Sequence, residues 1–139
     1  RRALGTREDV RIVGDRFVFQ SEVIFASGSD LIAPRGRDEL AKIAGVLKEL
    51  AASIPPELPW VLQVDGHTDR VPISTPRFPS NWELSTARAI AVARYLIEQG
   101  IPAERVAARG FAQYQPLDPA DTPEAYERNR RIELQLTTR

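Results

Sequence analysis

Apolar side chains recur at intervals of three and four from Leu40 through Ile43 and Leu47 to Leu50, and Pro55-Pro56 closes the series. That spacing predicts an amphipathic helix, because residues three and four apart share one face of a 3.6-residue spiral. A second helix is predicted from Asn81. Ser80 with Glu83 has the form of a capping box, Leu84, Ala87, Ala91, Tyr95 and Leu96 supply an apolar stripe, and Gly100 followed by Pro102 ends it. The period falls to two in RIELQLTT, where Ile132, Leu134 and Leu136 alternate with Glu133 and Gln135, so this segment predicts a strand with one face in the core. PWVLQVDGHTD is an apolar run ending in polar residues, as expected of a buried strand that delivers side chains to a sheet edge, and ERVAARGF predicts a further short strand. Near the start, VRIVGDRFVFQSEVIF places β-branched and aromatic residues on both sides of Gly14-Asp15, which predicts a hairpin or two short strands.

Two passages break the pattern. Arg70 to Ser80 contains Pro72, Pro76 and Pro79 and is excluded from regular structure. QYQPLDPADTPEAYERNRR is also proline-rich, with room for a helical turn or two near Pro123 to Arg128. Strands alternating with two amphipathic helices predict an α/β fold, a two-layer sandwich on a mixed sheet. A chain of 139 residues fits one domain that buries roughly two thirds of its extended surface. We therefore expect a single domain over 1–139, with 1–16 as an N-terminal extension.

Charge removes some function classes. Lys plus Arg and Asp plus Glu stand at 19 each, so no net field draws in nucleic acid or an anionic membrane, and a charged partner must be held by placed residues. With no cysteine there are no disulfides, thiol nucleophiles or Cys-based zinc sites. The chain also lacks methionine and opens on RRALGTREDV, from which we expect a piece of a longer protein. No apolar run approaches the roughly 20 residues that span a bilayer.

The chemistry concentrates in VDGHTDRVPISTPRFPSNWELSTARA, residues 64 to 89, which holds the only histidine. Asp65, His67 and Asp69 form a D-x-H-x-D run that an extended strand could converge on a metal. Catalytic zinc usually takes more than one histidine, however, and here every other ligand would have to be a carboxylate. A Ser-His-Asp hydrolase calls for a serine on a G-x-S-x-G elbow, and the Ser-Gly-Ser at 27 to 29 lacks the second glycine. The plainer reading of His67 is an imidazole at a strand end, hydrogen-bonded to a neighbour and fixing the loop. A third reading joins Asp69, at the strand exit, to Arg88, two turns into the following helix. Facing one cleft, they match a zwitterion, Asp69 accepting from an ammonium and Arg88 gripping a carboxylate through two parallel hydrogen bonds. The competing arrangement is direct pairing of Asp69 with Arg88, or solvation of each.

Four motifs in order, GHTD at 66 to 69, NWELSTARA at 81 to 89, Gly110-Phe111, and NRRIEL at 129 to 134, resemble the OmpA-like domain, which includes the C-terminal domains of OmpA and Pal and the periplasmic domain of MotB. The resemblance runs from about Phe17 to Leu136. It implies a β-α-β-α-β-β sandwich that binds peptidoglycan non-covalently through the diaminopimelate of the stem peptide, with no cofactor and no catalysis. By motif position it assigns ammonium binding to Asp69, carboxylate binding to Arg88 and an anion-serving amide to Asn81. It extends less directly to Thr68, Leu84, Arg130, Ser27 and Gly28. The long proline-rich loop and SNWELS are closest to the MotB branch. That implies a periplasmic domain of a membrane-anchored parent that engages the wall, with homodimerisation as a further expectation. Arg70, Arg77 or Phe78 could fold over the ligand. Two rivals are a wall amidase using Asp65, His67 and Asp69, and a module that recognises protein.

Overall fold

The computed structural model describes residues 10–13 and 16–138. Strands β1 (Val10–Val13) and β2 (Arg16–Gln20) pair antiparallel with Val13 opposite Arg16, so the two short strands are as expected; Gly14-Asp15, the expected turn, lies outside the described residues. A short helix α1 (Ser21–Ile24) leads to α2 (Pro34–Ala52), then β3 (Trp60–His67), α3 (Asn81–Glu98), a 3-10 turn (Ala103–Arg105), β4 (Val106–Gly110), α4 (Pro123–Asn129) and β5 (Arg131–Thr138). The five strands form one sheet in the order β1-β2-β5-β3-β4. Only β3 and β4 run parallel, linked through α3, as a parallel pair requires a crossover. This is the mixed α/β sheet that the sequence predicts, with α4 as the helical turn of the proline-rich passage.

Helices α2 and α3 cover one face. Leu40, Ile43 and Leu47 of α2 meet Val92 and Leu96 of α3 over Phe17, Phe19, Leu62, Val64, Ile132 and Leu134 of the sheet. Pro34 occupies the first turn of α2, where its missing N–H costs nothing. At the start of α3 the Ser80 hydroxyl accepts from the Trp82 N–H at 3.1 Å and contacts the Glu83 carboxylate. The cap is therefore real, but it serves the second helical N–H rather than the third that a capping box uses.

Two expectations fail in instructive ways. The buried face of α3 is Leu84, Ser85, Arg88, Ala89, Val92, Ala93 and Leu96, whereas Ala87, Ala91 and Tyr95 of the expected stripe are only half-buried. The helix is rolled because it lies directly on the ends of β3 and β4. A Cβ on Gly66 would stand 2.1 Å from the Ser85 carbonyl oxygen, and one on Gly110 would stand 2.1 Å from Thr86 Oγ1. Strand β5 differs too, since Glu133 is buried along with Ile132 and Leu134 instead of facing water. Its carboxylate accepts from Arg131 Nε at 2.6 Å, which is the pairing a buried charge requires.

Candidate ligand-binding site

The carboxyl ends of β3 and β4 and the first turns of α3 lie at one edge of the sheet, as crevices in α/β folds do. There a pocket of about 460 Å³ opens, within the usual range for small-molecule sites. All eight residues singled out from the sequence line it: Ser27, Gly28, Thr68, Asp69, Asn81, Leu84, Arg88 and Arg130. Gly28 takes a left-handed φ of 66° in the loop between α1 and α2, a conformation natural to glycine.

Asp69 and Arg88 are not locked together. Asp69 Oδ1 accepts the Val71 N–H at 3.0 Å, and Oδ2 accepts from Arg130 Nη1 at 2.7 Å. Arg130 also donates from Nε to Glu22 at 2.5 Å. Burial alone would lower Arg130, but its hydrogen bonds to Asp69 and Glu22 outweigh it and carry the guanidinium above its ordinary value.

Arg88 lies across the Phe25 ring, 4.9 Å from its centroid. Its Nε donates to the Ser29 carbonyl at 2.7 Å and its Nη2 to the Ala26 carbonyl at 3.1 Å. These bonds use the side-on edge of the guanidinium and pin the loop that carries Ser27 and Gly28. The end-on edge, Nη1 with the second Nη2 proton, makes no hydrogen bond to the described residues. No carboxylate among the described residues is in ion-pair contact with Arg88. Burial pushes its pKa down, with Glu22 and Asp30 offsetting part of the effect. A half-satisfied, desolvated cation of this kind is stabilised by an incoming anion.

The rest of the wall is support. Thr68 Oγ1 donates to the Asp69 carbonyl at 2.7 Å. Asn81 directs its amide nitrogen to the carbonyls of Val71 at 3.1 Å and Asp69 at 3.5 Å, so those protons hold the proline-rich loop rather than face the cavity. Of the three loop residues expected to cover the ligand, none lines the pocket. Arg77 forms a bidentate pair with Asp30, Arg70 turns to Asp121, and Phe78 is buried. Val71, Pro72 and Ile73 form that rim instead, and Ser21, Glu22 and Phe25 complete the other side.

The sequence profile of the OmpA family matches residues 24–130. The chain belongs to the OmpA family. It is 38% identical over 118 residues to an uncharacterised protein of Bacillus subtilis, YtxE, covering 84% of this chain and 46% of that one. It is 32% identical over 121 residues to Motility protein B of the same organism, covering 86% and 44%. The chain thus spans less than half the length of either relative. Among solved structures, a MotB like protein from Desulfovibrio vulgaris superposes with a TM-score of 0.85 at 31% identity, covering 99% of this chain and 87% of that one. The cell wall anchor of the T6SS from Pseudomonas aeruginosa superposes with a TM-score of 0.77 at 32% identity, covering 94% and 87%.

Within this OmpA-family fold the histidine belongs elsewhere. His67 and Asp65 point to the sheet face away from the helices, and Asp69, past the strand end, does not join them. The carboxylate that does is Glu133, so the acidic and imidazole ligand atoms within 4.8 Å of one another are those of Asp65, His67 and Glu133. Both carboxylates already have guanidinium partners, Asp65 a bidentate one in Arg109 at 2.8 Å, and Glu133 both Arg131 and Arg16. His67 has no hydrogen-bond partner at either nitrogen, contrary to expectation, and stacks on Phe111 at 4.9 Å with the rings 3° from parallel. Burial, then the charges of Arg131, Arg16 and Arg109, lower its pKa to about 3. The sequence pattern missed this cluster because Glu133 reaches it only through the β3–β5 register, which sets Asp65 opposite Glu133.

Proposed function

We propose that residues 1–139 form a single non-covalent peptidoglycan-binding domain that anchors a membrane-attached envelope protein to the cell wall from the periplasm. On this reading the ligand is the side-chain end of diaminopimelate in a stem peptide, which carries an ammonium and a carboxylate. The observation that carries it is the pocket's charge layout: Arg88 keeps an unpaired end-on edge, while Asp69 stands in the same cavity bound to other partners. The likeness to Motility protein B and to a T6SS cell wall anchor supports the same role. No helix among the described residues is long and apolar enough to cross a membrane.

The activity is grip, with no bond broken. At about 0.3 kcal/mol or a little more per heavy atom, a diamino acid end of roughly a dozen atoms gives about 4 kcal/mol, a dissociation constant near the millimolar range. Such contacts hold a load when two or more copies engage one polymer, which makes a homodimer a natural unit.

The test is titration of wild type and Asp69→Ala with diaminopimelate and with a soluble muropeptide, followed by NMR shifts. Truncating Asp69 removes the ammonium's acceptor, which costs about 2 to 5 kcal/mol and abolishes detectable binding of the free amino acid, with the fold retained. Equal affinity for the two proteins refutes the assignment.

A further inference from the structure

We propose that Trp82 and Tyr114 form a stacking platform for a pyranose ring of the glycan strand whose stem peptide occupies the pocket; this rests on the reading of the pocket given above. Trp82 is 50% exposed and Tyr114 59% exposed, yet their rings meet with centroids 5.4 Å apart and a tilt of 31°. The pair is held in place by its backbone. The Trp82 N–H is fixed by the Ser80 hydroxyl, and Tyr114 closes a turn onto the Phe111 carbonyl at 3.3 Å.

Two residues before Tyr114, Ala112 is fully buried with a φ of 53°, a left-handed conformation that costs a residue with a Cβ. Two contacts maintain it. Its N–H donates to Ser85 Oγ at 3.0 Å, and its carbonyl accepts from the Thr68 N–H at 2.9 Å. Thr68 lines the pocket, so the residue that presents Tyr114 is bonded directly to the pocket wall.

The chemistry of the pair selects the occupant. Two rings make a patch far below the several hundred Å² of a typical protein-recognition surface, but comparable to one sugar ring. A pyranose offers an apolar C–H face to an aromatic ring and hydroxyls around its edge, where the Trp indole N–H and Tyr hydroxyl provide polar partners. The spacing fits as well. Trp82 precedes Arg88 by six residues on α3, about 9 Å along the axis at 1.5 Å each and about two thirds of a turn around it, so 9 Å is only the axial part of their separation. An extended peptide covers that in two to three residues at roughly 3.3 to 3.6 Å each. A polymer with a zwitterionic peptide end and a sugar at least three residues away therefore has the reach for both places.

The experiment compares three ligands: a muropeptide bearing its amino sugars, the same stem peptide without sugar, and a β-1,4-linked N-acetylglucosamine tetramer. Trp82→Ala is expected to weaken the sugar-bearing ligand roughly ten-fold and to leave the sugar-free peptide unchanged, with Trp82→Phe retaining most of the affinity. A loss that is equal for both peptides, or no loss for the muropeptide, overturns the platform while leaving the pocket reading intact. The tetramer separates the two ideas. The only other tryptophan, Trp60, is buried, so indole fluorescence reports on Trp82. If the wild type fails to bind the stem peptide, a tetramer-induced fluorescence shift absent in Trp82→Phe keeps the platform, and no shift at millimolar tetramer overturns it as well.

Discussion

Arg88→Lys separates two jobs that one guanidinium performs. In the folded chain its side-on edge donates at 2.7 Å and 3.1 Å to the carbonyls of Ser29 and Ala26, and the proposal gives its end-on edge to the ligand carboxylate. A lysine ammonium is a point donor that cannot present two parallel pairs in opposite directions. It can hold one loop carbonyl and lose the ligand, or turn to the ligand and release the loop. A charge-assisted bond to a carbonyl is worth about 1.5 to 3 kcal/mol, and because Ala26 is exposed and Ser29 half-buried the released carbonyl regains water, so retaining one of two costs about 1.5 kcal/mol at most. For a chain of this size that is a fall in Tm of about 5 °C at most. Loss of the bidentate grip weakens the ligand by a further ten- to hundred-fold.

The assay is calorimetric melting beside sedimentation with purified cell-wall sacculi, using Arg88→Ala as the variant that lacks both jobs. Arg88→Lys is expected to melt between wild type and Arg88→Ala and to pellet as poorly as Arg88→Ala. A lysine variant that melts low but pellets like wild type would show Arg88 to be a loop clamp alone, and the zwitterion reading of the pocket would fall.

Two further outcomes concern the frame around the pocket. Gly66→Ala puts a Cβ 2.1 Å from the Ser85 carbonyl oxygen, a backbone atom that moves only with α3, so urea unfolding is expected to show a loss of about 3 kcal/mol or more. Gly45→Ala in α2 meets nothing within 4 Å and is expected to gain about 0.5 to 1 kcal/mol; equal effects at the two sites refute the packing argument. His67→Phe tests the buried imidazole. The folded ring titrates near 3 and the unfolded one near 6.5, so between those values the unfolded chain holds the extra proton. The associated stability is complete above about pH 6.5 and falls by up to about 1.4 kcal/mol per pH unit on acidification toward 3. The variant should lose stability less steeply across that window, and an unchanged slope contradicts it.

Periodicity made the main helices and strands legible because it reports which face is dry. It misjudged the roll of α3 because the true contact face contains Ser85 and Arg88, polar residues buried by service to Ala112 and to the α1–α2 loop. The same blindness hid the far face of the sheet. Glu133 reads as lying off the core face until the strand register joins it, with Arg131, to Asp65, His67 and Arg109. At the pocket, the eight residues carried over from the family resemblance converge, while Ser21 and Glu22 of α1 and Phe25 just after it went unnoticed because a four-residue helix is too short to show a period. Val71, Pro72 and Ile73 depend on the path of a proline-rich loop that local rules do not determine.

Those unpredicted residues change what the pocket should prefer. Its charged lining, among the described residues, is Asp69, Glu22, Arg88 and Arg130, two of each sign. Arg130 sets one positive charge against the two negative ones of Asp69 and Glu22, leaving that side net negative, and Arg88 stands apart with its end-on edge unpaired among the described residues. An isolated carboxylate would satisfy Arg88 but bring no cation to the acidic side at Asp69, and an isolated amine would do the reverse. On the proposed reading a zwitterion meets both charges without altering the net charge of a partly desolvated site, whereas a singly charged competitor brings an uncompensated charge and an uncharged one meets neither. On that reading, selectivity for a doubly charged amino acid end follows from Glu22 and Arg130 as much as from Asp69 and Arg88.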